Sequence, residues 1–410
     1  MFTASRPFLL RLHLGAAVLL GSLLPASGWS QGPVSAVTPH PLDAAAGKAL
    51  FERHWIAAPA STAASDGLGP FYNARACASC HPGGGRGTDL QALTLRSADP
   101  RYGRQLQPLA LPRLPPELSY TLAWVPLTVD LAARSGAPAL ERLQVQFAEL
   151  RYGPLQSPWS GRMAPQLHGV GLLQQIDASV LQALADPDDR DGNGISGRLS
   201  QVRQADGTPA IGRFGWKAEL PDLLTQTASA FSLDLGLGSP LYPASSGDCS
   251  AVQHECLQQV PGTATGPGAT EIDAELLRLL LAYLQALPAP ATVADPDGLA
   301  LFEHVGCAAC HLPALPGANG PVLAYSDLLL HDLGQELADG LAAESASAAE
   351  WRTAPLWGLG RAGRLLHDGR AATVEAAILW HDGEAQAARE AFLALDESDK
   401  RQLLDFLKGL

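Results

Sequence analysis

The chain has 410 residues, a formal net charge of −13 and 47% hydrophobic residues. This length allows two or three domains, and the hydrophobic fraction is sufficient for a sizeable core. The negative charge argues against nucleic acids and anionic membrane surfaces as partners, but it permits contact with a basic redox protein.

Residues 1–30 have the pattern of a secretory signal peptide. Arg6 and Arg11 precede the apolar run LHLGAAVLLGSLLPA, which is short for a membrane span, and the small residues Gly28 and Ser30 follow it. An uncleaved membrane anchor is the alternative. The pattern predicts a periplasmic or otherwise exported protein that touches the membrane only if this signal stays uncleaved, in a compartment where disulfides form.

The motif C-x-x-C-H occurs twice, in ARACASCHPG (75–84) and in HVGCAACHLP (304–313). Two cysteines on one helical turn can each bond a vinyl group of a haem, and the histidine then binds the iron. A thioredoxin-like pair would follow a strand, and structural zinc needs a second half-site nearby; neither feature accompanies the motifs. We therefore predict two covalently bound haem c groups, held by Cys77, Cys80, His81, Cys307, Cys310 and His311.

The residues before the two motifs repeat each other. AAAGKALFERHW (44–55) aligns with DPDGLALFEHVG (295–306), and the shared positions are Gly47, Leu50 and Phe51 with Gly298, Leu301 and Phe302. The chain is therefore expected to hold two related haem units. The predicted organisation is an elaborated N-terminal haem domain over 42–287, a linker over 288–296 and a C-terminal haem domain over 297–410.

Helical periodicity is more frequent than strand alternation. EIDAELLRLLLAYLQAL (271–287) carries an apolar stripe, and a last helix is expected to begin near Asp396 or Ser398. The segment RLQVQFAELRYG (142–153) predicts a hairpin with residues near 120–130. The predicted fold is mainly α, with two cytochrome c-like domains, the first with long irregular insertions and this small hairpin.

Two further local patterns suggest a disulfide and a calcium site. Cys249 and Cys256 close a short loop without metal-ligand partners, which predicts a disulfide; a redox-active thiol pair is the alternative. DRDGNGI (189–195) matches the start of an EF-hand loop, but Ser200 stands at the twelfth position, where a full EF-hand has Glu. A calcium site and a plain Asp/Gly-rich turn both stay open, with the candidate ligands Asp189, Asp191 and Asn193.

Five stretches carry a family resemblance: GRMAPQLHGVGLLQQI (161–176), DRDGNGISGR (189–198), IGRFGWKAELPDLLTQTASAFSLDLG (211–236), YSDLLLHDLG (325–334) and WRTAPLWGLGRAGRLLHDGRAATVEAAILWHDGEA (351–385). Together they resemble the dihaem oxidoreductase family, whose members are described as peroxidases or thiol oxidoreductases, within the dihaem cytochrome c peroxidase superfamily. The resemblance spans nearly the whole chain after the signal and implies two cytochrome c-like domains.

The resemblance also implies axial ligands. In the superfamily, the second ligand of the C-terminal haem lies nine positions into a run such as TVEAAILWH, where this chain has His381 in place of Met or Tyr. A His/His pair implies a low-spin iron of lower potential than a His/Met pair. No histidine follows His81 before His168, which implies an open first iron, with His168 and Met163 as alternative ligands.

Further roles are expected for residues in the same stretches. Trp216 corresponds to a tryptophan that relays electrons between the haems, with core packing as the alternative. Gln174 stands where relatives often have a Glu that moves protons, so the chain departs from the family there. Lys217 and Arg213 are expected beside haem propionates, and the two histidines at 331 and 367 are expected to order the haem edges.

These features predict an exported, peroxidase-like dihaem c-type cytochrome oxidoreductase. Its open N-terminal haem would act on peroxide or another small molecule, and its C-terminal haem would transfer electrons from a small redox protein. One alternative is a periplasmic dihaem electron-transfer cytochrome without enzymatic activity. The other is a redox enzyme that acts on a thiol or another small molecule.

Overall fold

The computed structural model describes residues 39–127, 139–204, 206–259, 262 and 270–410. The predicted signal peptide lies outside the described residues. Among the helices that are described, none is both long and apolar enough to cross a membrane. Residues 38–410 form one compact unit, and the predicted division at 288–296 stays a prediction.

The described residues contain the following helices and strands. The helices are α1 (Pro41–Phe51), α2 (Cys77–Cys80), α3 (Val170–Leu173), α4 (Ala178–Leu184), α5 (Leu223–Leu235), α6 (His254–Leu257), α7 (Ala274–Ala286), α8 (Pro296–His304), α9 (Val374–Leu379), α10 (Gln386–Ala394) and α11 (Glu397–Gly409). The strands are β1 (Phe71–Tyr72), β2 (Leu93–Ser97), β3 (Gln105–Leu106), β4 (Leu109–Ala110), β5 (Leu118–Pro126), β6 (Glu141–Leu150), β7 (Trp159–Met163), β8 (Gln201–Arg203), β9 (Pro209–Ile211), β10 (Leu315–Gly317), β11 (Gly320–Val322), β12 (Leu330–Asp332) and β13 (Glu350–Arg352).

The strands form small antiparallel sheets. Strand β2 lies between β3 and β7, and the two-stranded sheets are β1/β4, β5/β6, β8/β9, β10/β11 and β12/β13. With 31% helix and 17% strand, the prediction of a mainly α fold was wrong. The insertion after the first motif, expected to be irregular apart from the hairpin, contains β2 to β7. Two of these strands, β3 and β4, have only two residues, which is too short for alternation to show in the sequence.

The predicted hairpin is confirmed as β5 and β6, which pair over nearly their full length. Its inward side chains alternate with outward ones, as expected for a sheet with one buried face. Trp124 and Leu143 face each other across the hairpin and pack against the small core around Leu93 and Met163. The hairpin therefore covers β2 and β7, two paired strands that both follow the first C-x-x-C-H motif in the chain.

Two helix pairs repeat in the fold, and each carries one haem motif after its first helix. Helix α1 packs on α7, and α8 packs on α11. A Cβ added at Gly47 would lie 2.0 Å from the carbonyl oxygen of Leu279, and one at Gly298 would lie 2.5 Å from the Cβ of Phe406. These aligned glycines therefore let each pair of helix backbones approach closely at equivalent positions.

The aligned phenylalanines also contact the partner helix. The ring centroid of Phe51 lies 5.2 Å from that of Tyr283, and the centroid of Phe302 lies 5.6 Å from that of Phe406. Asp396 caps α11, as the sequence predicted, by accepting hydrogen bonds from the first N–H groups of the helix. The repeat seen in the sequence therefore corresponds to a repeated helix contact.

Candidate haem sites

The two C-x-x-C-H motifs have the same local geometry. In each, one helical turn ends as the histidine N–H donates to the carbonyl of the first cysteine, at 3.0 Å for His81 and 3.0 Å for His311. The four motif cysteines are half-buried free thiols. Burial raises the pKa of Cys77, Cys80 and Cys307 to about 12, so these thiols are neutral at pH 7 rather than reactive thiolates.

The motif histidines are prepared to bind a metal through one nitrogen. The Nδ1 of His81 lies 3.3 Å from the carbonyl oxygen of Gly85, and the Nδ1 of His311 lies 2.9 Å from that of Tyr325. Burial lowers the pKa of each imidazole to about 4. A neutral ring that donates from Nδ1 keeps a lone pair on Nε2, which is the arrangement of an iron ligand, so both sites fit a haem.

His381 lies close to the second motif. It follows α9, which begins after the capping hydroxyl of Thr373, and its Nδ1 lies 2.7 Å from the carbonyl oxygen of Ala377. Burial lowers the pKa of His381 as well. Ile378 of α9 belongs to the same hydrophobic cluster as Cys307, so the end of α9 that carries His381 packs near the second motif. The donor set at this site therefore fits a haem with two imidazole ligands.

A charged histidine lies beside the second motif. The Nε2 of His331 lies 2.8 Å from a carboxylate oxygen of Asp327, and its Nδ1 lies 2.8 Å from one of Glu384. Burial lowers the pKa of His331, but hydrogen bonds to Asp327, Cys310 and Glu384 outweigh it and raise the pKa to about 12. Both ring nitrogens are thus engaged, so His331 is a buried cation next to the Cys310 sulfur, 3.7 Å away.

A cavity of about 220 Å³ lies beside the first motif and includes His81 in its wall. Four arginines line it: Arg86, Arg96, Arg162 and Arg352. Burial lowers the pKa of Arg86 and Arg352 to about 10, so both keep their charge at pH 7. The Nη1 of Arg162 is buried without a hydrogen-bond partner. A haem propionate would satisfy this donor, so the cavity fits an anionic porphyrin.

The residues that the sequence suggested for the propionates have other partners. The ammonium group of Lys217 donates to the carbonyls of Ser347, Ala348 and Glu350 at 2.7 to 3.1 Å. The guanidinium of Arg213 donates to the carbonyl of Ile176. Both side chains therefore connect neighbouring loops. The role expected for them, binding of the haem propionates, fits the cavity arginines instead.

Trp216 forms part of the cavity wall. Its indole N–H donates to the carbonyl of Met163 at 2.9 Å, and the guanidinium of Arg86 lies 5.0 Å from its ring. The backbone carbonyl of Trp216 accepts from the N–H of Arg352 at 2.9 Å. Arg352 is in β13, which pairs with the strand that carries His331. The residue thus connects the first cavity to the surroundings of the second motif.

The other sequence candidates near the first motif lie in structural positions. The side-chain oxygen of Gln174 accepts from the N–H of Leu223 at the start of α5, and different residues form the cavity wall. Both ring nitrogens of His168 lie within 3.2 Å of backbone carbonyls. Met163 lines the cavity, but its sulfur packs closely over Gly87. These contacts favour packing and capping over iron binding.

Two carboxyl groups in the cavity wall were missed from the sequence. Glu219 and Asp234 both line the cavity, and Asp234 accepts a 2.6 Å hydrogen bond from the amide of Gln105. Burial raises the pKa of Asp234. The sequence did contain a signal for Asp234. Gln226, Ala230 and Asp234 are spaced four apart, and residues with this spacing share one face of a helix.

The remaining candidates lie outside both sites. Cys249 and Cys256 are joined as a disulfide, with Cα atoms 6.1 Å apart. In the 189–195 loop, Asp191 and Asn193 are exposed and Asp189 is half-buried. The side-chain oxygens of all three accept from backbone N–H groups of the same loop. This arrangement is that of an Asx-rich turn, and calcium binding there stays a prediction.

The two motifs, their neutral histidines and the arginine-lined cavity define a dihaem protein. The family described as "Di-haem oxidoreductase, putative peroxidase" matches residues 159–410, and the chain belongs to this family. The resemblance recognised in the sequence is therefore confirmed. The matched region contains the second C-x-x-C-H motif, and the first motif precedes it.

Two solved structures are similar over most of the chain. Hydrazine synthase from Kuenenia stuttgartiensis is 14% identical, with a TM-score of 0.39, over 97% of this chain and 100% of that chain. A variant of the diheme peroxidase BthA from Burkholderia thailandensis is 15% identical, with a TM-score of 0.41, over 90% of this chain and 86% of that chain. No curated protein matches the chain.

Proposed function

We propose that this protein is an exported c-type dihaem peroxidase, in which the first haem binds peroxide and the second delivers electrons. The observation that carries the proposal is the contrast between the motif histidines. The motif of His311 packs against α9, and the imidazole of His381 lies directly after this helix. Among the described residues that line the cavity, His81 is the only imidazole. The first site therefore has room for a small molecule opposite its histidine.

Each haem would be held by the residues of its own motif. Cys77 and Cys80 would form the thioether bonds of the first haem, and Cys307 and Cys310 those of the second. Bound there, haem supplies an iron that exchanges single electrons and, where a coordination position is open, binds peroxide. The predicted signal peptide supports export to a compartment where haem is attached in this way.

Protons are supplied by the carboxyl groups in the cavity wall. Reduction of hydrogen peroxide to two water molecules consumes two electrons and two protons. Glu219 and Asp234 can hold and release protons beside the bound molecule. Gln174 cannot exchange a proton, and its position as a cap of α5 makes it unnecessary for this step. The departure from the family at Gln174 is therefore compatible with peroxidase activity.

Electrons would enter at the second site and reach the first through the protein between them. A contact path leads from Cys310 to His331, across the β12/β13 pair to Arg352, and on to Trp216 in the cavity wall. The net charge of −13 favours a small basic redox protein as the donor, because opposite charges speed association.

The purified holoprotein tests the proposal by spectroscopy. We expect one high-spin and one low-spin ferric signal, binding of azide at the high-spin haem only, and oxidation of the half-reduced protein by hydrogen peroxide in stopped-flow mixing. Two low-spin signals with no azide binding would contradict the proposal and support the electron-transfer cytochrome. Azide binding without any response to peroxide would support a redox enzyme for a thiol or another small molecule.

A further inference from the structure

One face of helix α5 runs along the wall of the first cavity. Most residues of α5 are fully buried, but Gln226, Ala230 and Asp234 are only partly buried, and all three line the cavity. They are spaced four apart, so they form one stripe of the helix surface. The cavity wall also includes four buried residues of α5 beside this stripe, Leu223, Thr227, Phe231 and Leu235. Leu224, the other partly buried residue of α5, packs against the main core instead.

The helix is held firmly in this position. Its buried face, including Ala228, Phe231 and Leu235, belongs to the main hydrophobic core. It begins after Asp222, whose side chain accepts from a backbone N–H of the first turn, and it ends at Gly236, where φ is +67°. Helix α5 can therefore not move away from the cavity to admit a larger ligand without exposing the hydrophobic core.

The stripe crosses the cavity from one identifiable edge to the other. The backbone carbonyl of Asp234 accepts from the N–H groups of Asn73 and Ala74 at 2.8 and 3.2 Å, so Asp234 lies at the edge where the chain enters the first motif. At the other end, the side-chain oxygen of Gln226 lies 3.9 Å from a Cβ built on Gly215, next to Trp216. Ala230 is one helical turn from each end, so it lies opposite the middle of the cavity.

We propose that α5 is the wall that faces the open coordination position of the first haem, and that Ala230 keeps this position open. This inference rests on the proposed function. A methyl group is too short to reach an iron and has no donor atom, so it leaves space for a small ligand. Gln226 and Asp234, one turn away on either side, limit this space to molecules about the size of peroxide or azide and offer them hydrogen bonds.

Substitution of Ala230 by a side chain with a donor atom tests the inference. In the Ala230→Met holoprotein, we expect the first haem to change from high-spin to low-spin and azide binding to be lost. The second haem should keep its spectrum and serve as an internal reference. Leu224→Met places the same side chain on the same helix away from the cavity, so this control should keep both the high-spin signal and azide binding.

A second variant, Ala230→Val, adds bulk without a donor atom. We expect it to stay high-spin and to bind azide more weakly than wild type, with unchanged haem content. Wild-type protein that binds no azide would overturn the proposed function itself. Wild-type protein that binds azide, together with Ala230→Met and Ala230→Val variants that bind it equally well and stay high-spin, would overturn only the assignment of α5 and Ala230.

Discussion

The two haem sites share a motif and a helix pair, but they differ in what lies opposite the motif histidine. At the second site, His381 follows α9, which packs near the motif of His311, and the buried cation His331 is fixed between two carboxylates. At the first site, His81 lies in the wall of a cavity with arginines and carboxyl groups. The two motifs are therefore alike, and more distant parts of the chain make their surroundings different.

The difference arises from the elements that follow each motif. After the second motif, α9 brings His381 toward the site. Between α1 and α7, the long insertion supplies α5, which contributes Ala230 to the cavity wall. In the proposed function, the imidazole belongs to the electron-transfer site and the methyl group to the ligand-binding site.

The largest expected effect is the loss of one haem. The variant Cys77→Ala/Cys80→Ala should keep only the second covalent haem, and Cys307→Ala/Cys310→Ala only the first, because each pair provides both thioether bonds of one haem. Haem content per chain after acid-acetone extraction should fall to half in both. Unchanged content in either variant would show that its motif does not attach haem.

The disulfide provides the matched control. Cys249→Ala/Cys256→Ala removes two cysteines as well, but it should keep both haems. Because the disulfide closes a loop with a sequence separation of 7, its loss should lower the free energy of unfolding by about 2 to 3 kcal/mol.

The next largest effect is expected from substitution of His381, which should make the second site resemble the first. His381→Ala should convert the low-spin haem to high-spin and create a second azide site. His381→Met should stay low-spin with a higher reduction potential, since a Met ligand stabilises the reduced iron relative to a His ligand. EPR and a redox titration measure both. A low-spin signal that survives in His381→Ala would mean that another residue binds the second iron.

A smaller effect concerns the connection between the sites. Trp216→Phe keeps an aromatic ring in the cavity wall but loses the hydrogen bond to the carbonyl of Met163. If Trp216 carries electrons, interhaem transfer after peroxide mixing should slow several-fold, while haem content and azide affinity stay as in wild type. An unchanged transfer rate with a lower melting temperature would assign the residue to packing alone.

The smallest expected effect is a pH dependence of the folding stability that arises from one buried residue, Glu117. Glu117 is 1% exposed and accepts from the backbone N–H of Gln107 and the side-chain amide of Gln253. Burial raises its pKa to about 8, so folding disfavours the charged form. The contribution of Glu117 to stability should therefore fall as pH rises from the unfolded pKa, about 4.5, to about 8, by at most about 1.4 kcal/mol per pH unit.

The variant Glu117→Gln isolates this contribution. Because Gln cannot ionise, the free energy of unfolding of the variant should rise relative to that of wild type over the same pH interval. At higher pH, the difference between the two proteins should stay constant. Urea unfolding at several pH values measures the difference. Curves that stay parallel from low to high pH would show that Glu117 has an ordinary pKa in the folded protein.

The parts of this molecule that the sequence predicted are local. The haem motifs and the Asp396 cap depend on residues within a few turns of one another, and Gly47 and Gly298 were found because the short stretches around them repeat each other. The wall built by Ala230 and the ion pairs of His331 depend on segments that are distant in sequence. The small sheets were missed for a related reason, because strands of two or three residues are stabilised by their partners rather than by their own alternation.

The two helix contacts at Gly47 and Gly298 also differ in the length of chain that they close. Residues 305–396 separate α8 from α11, whereas the segment that separates α1 from α7, residues 52–273, is more than twice as long. Closing the longer loop costs about 0.8 kcal/mol more in chain entropy, and its non-local contacts form more slowly. During folding, the C-terminal unit should therefore close first, while the N-terminal C-x-x-C-H motif is still accessible for haem attachment.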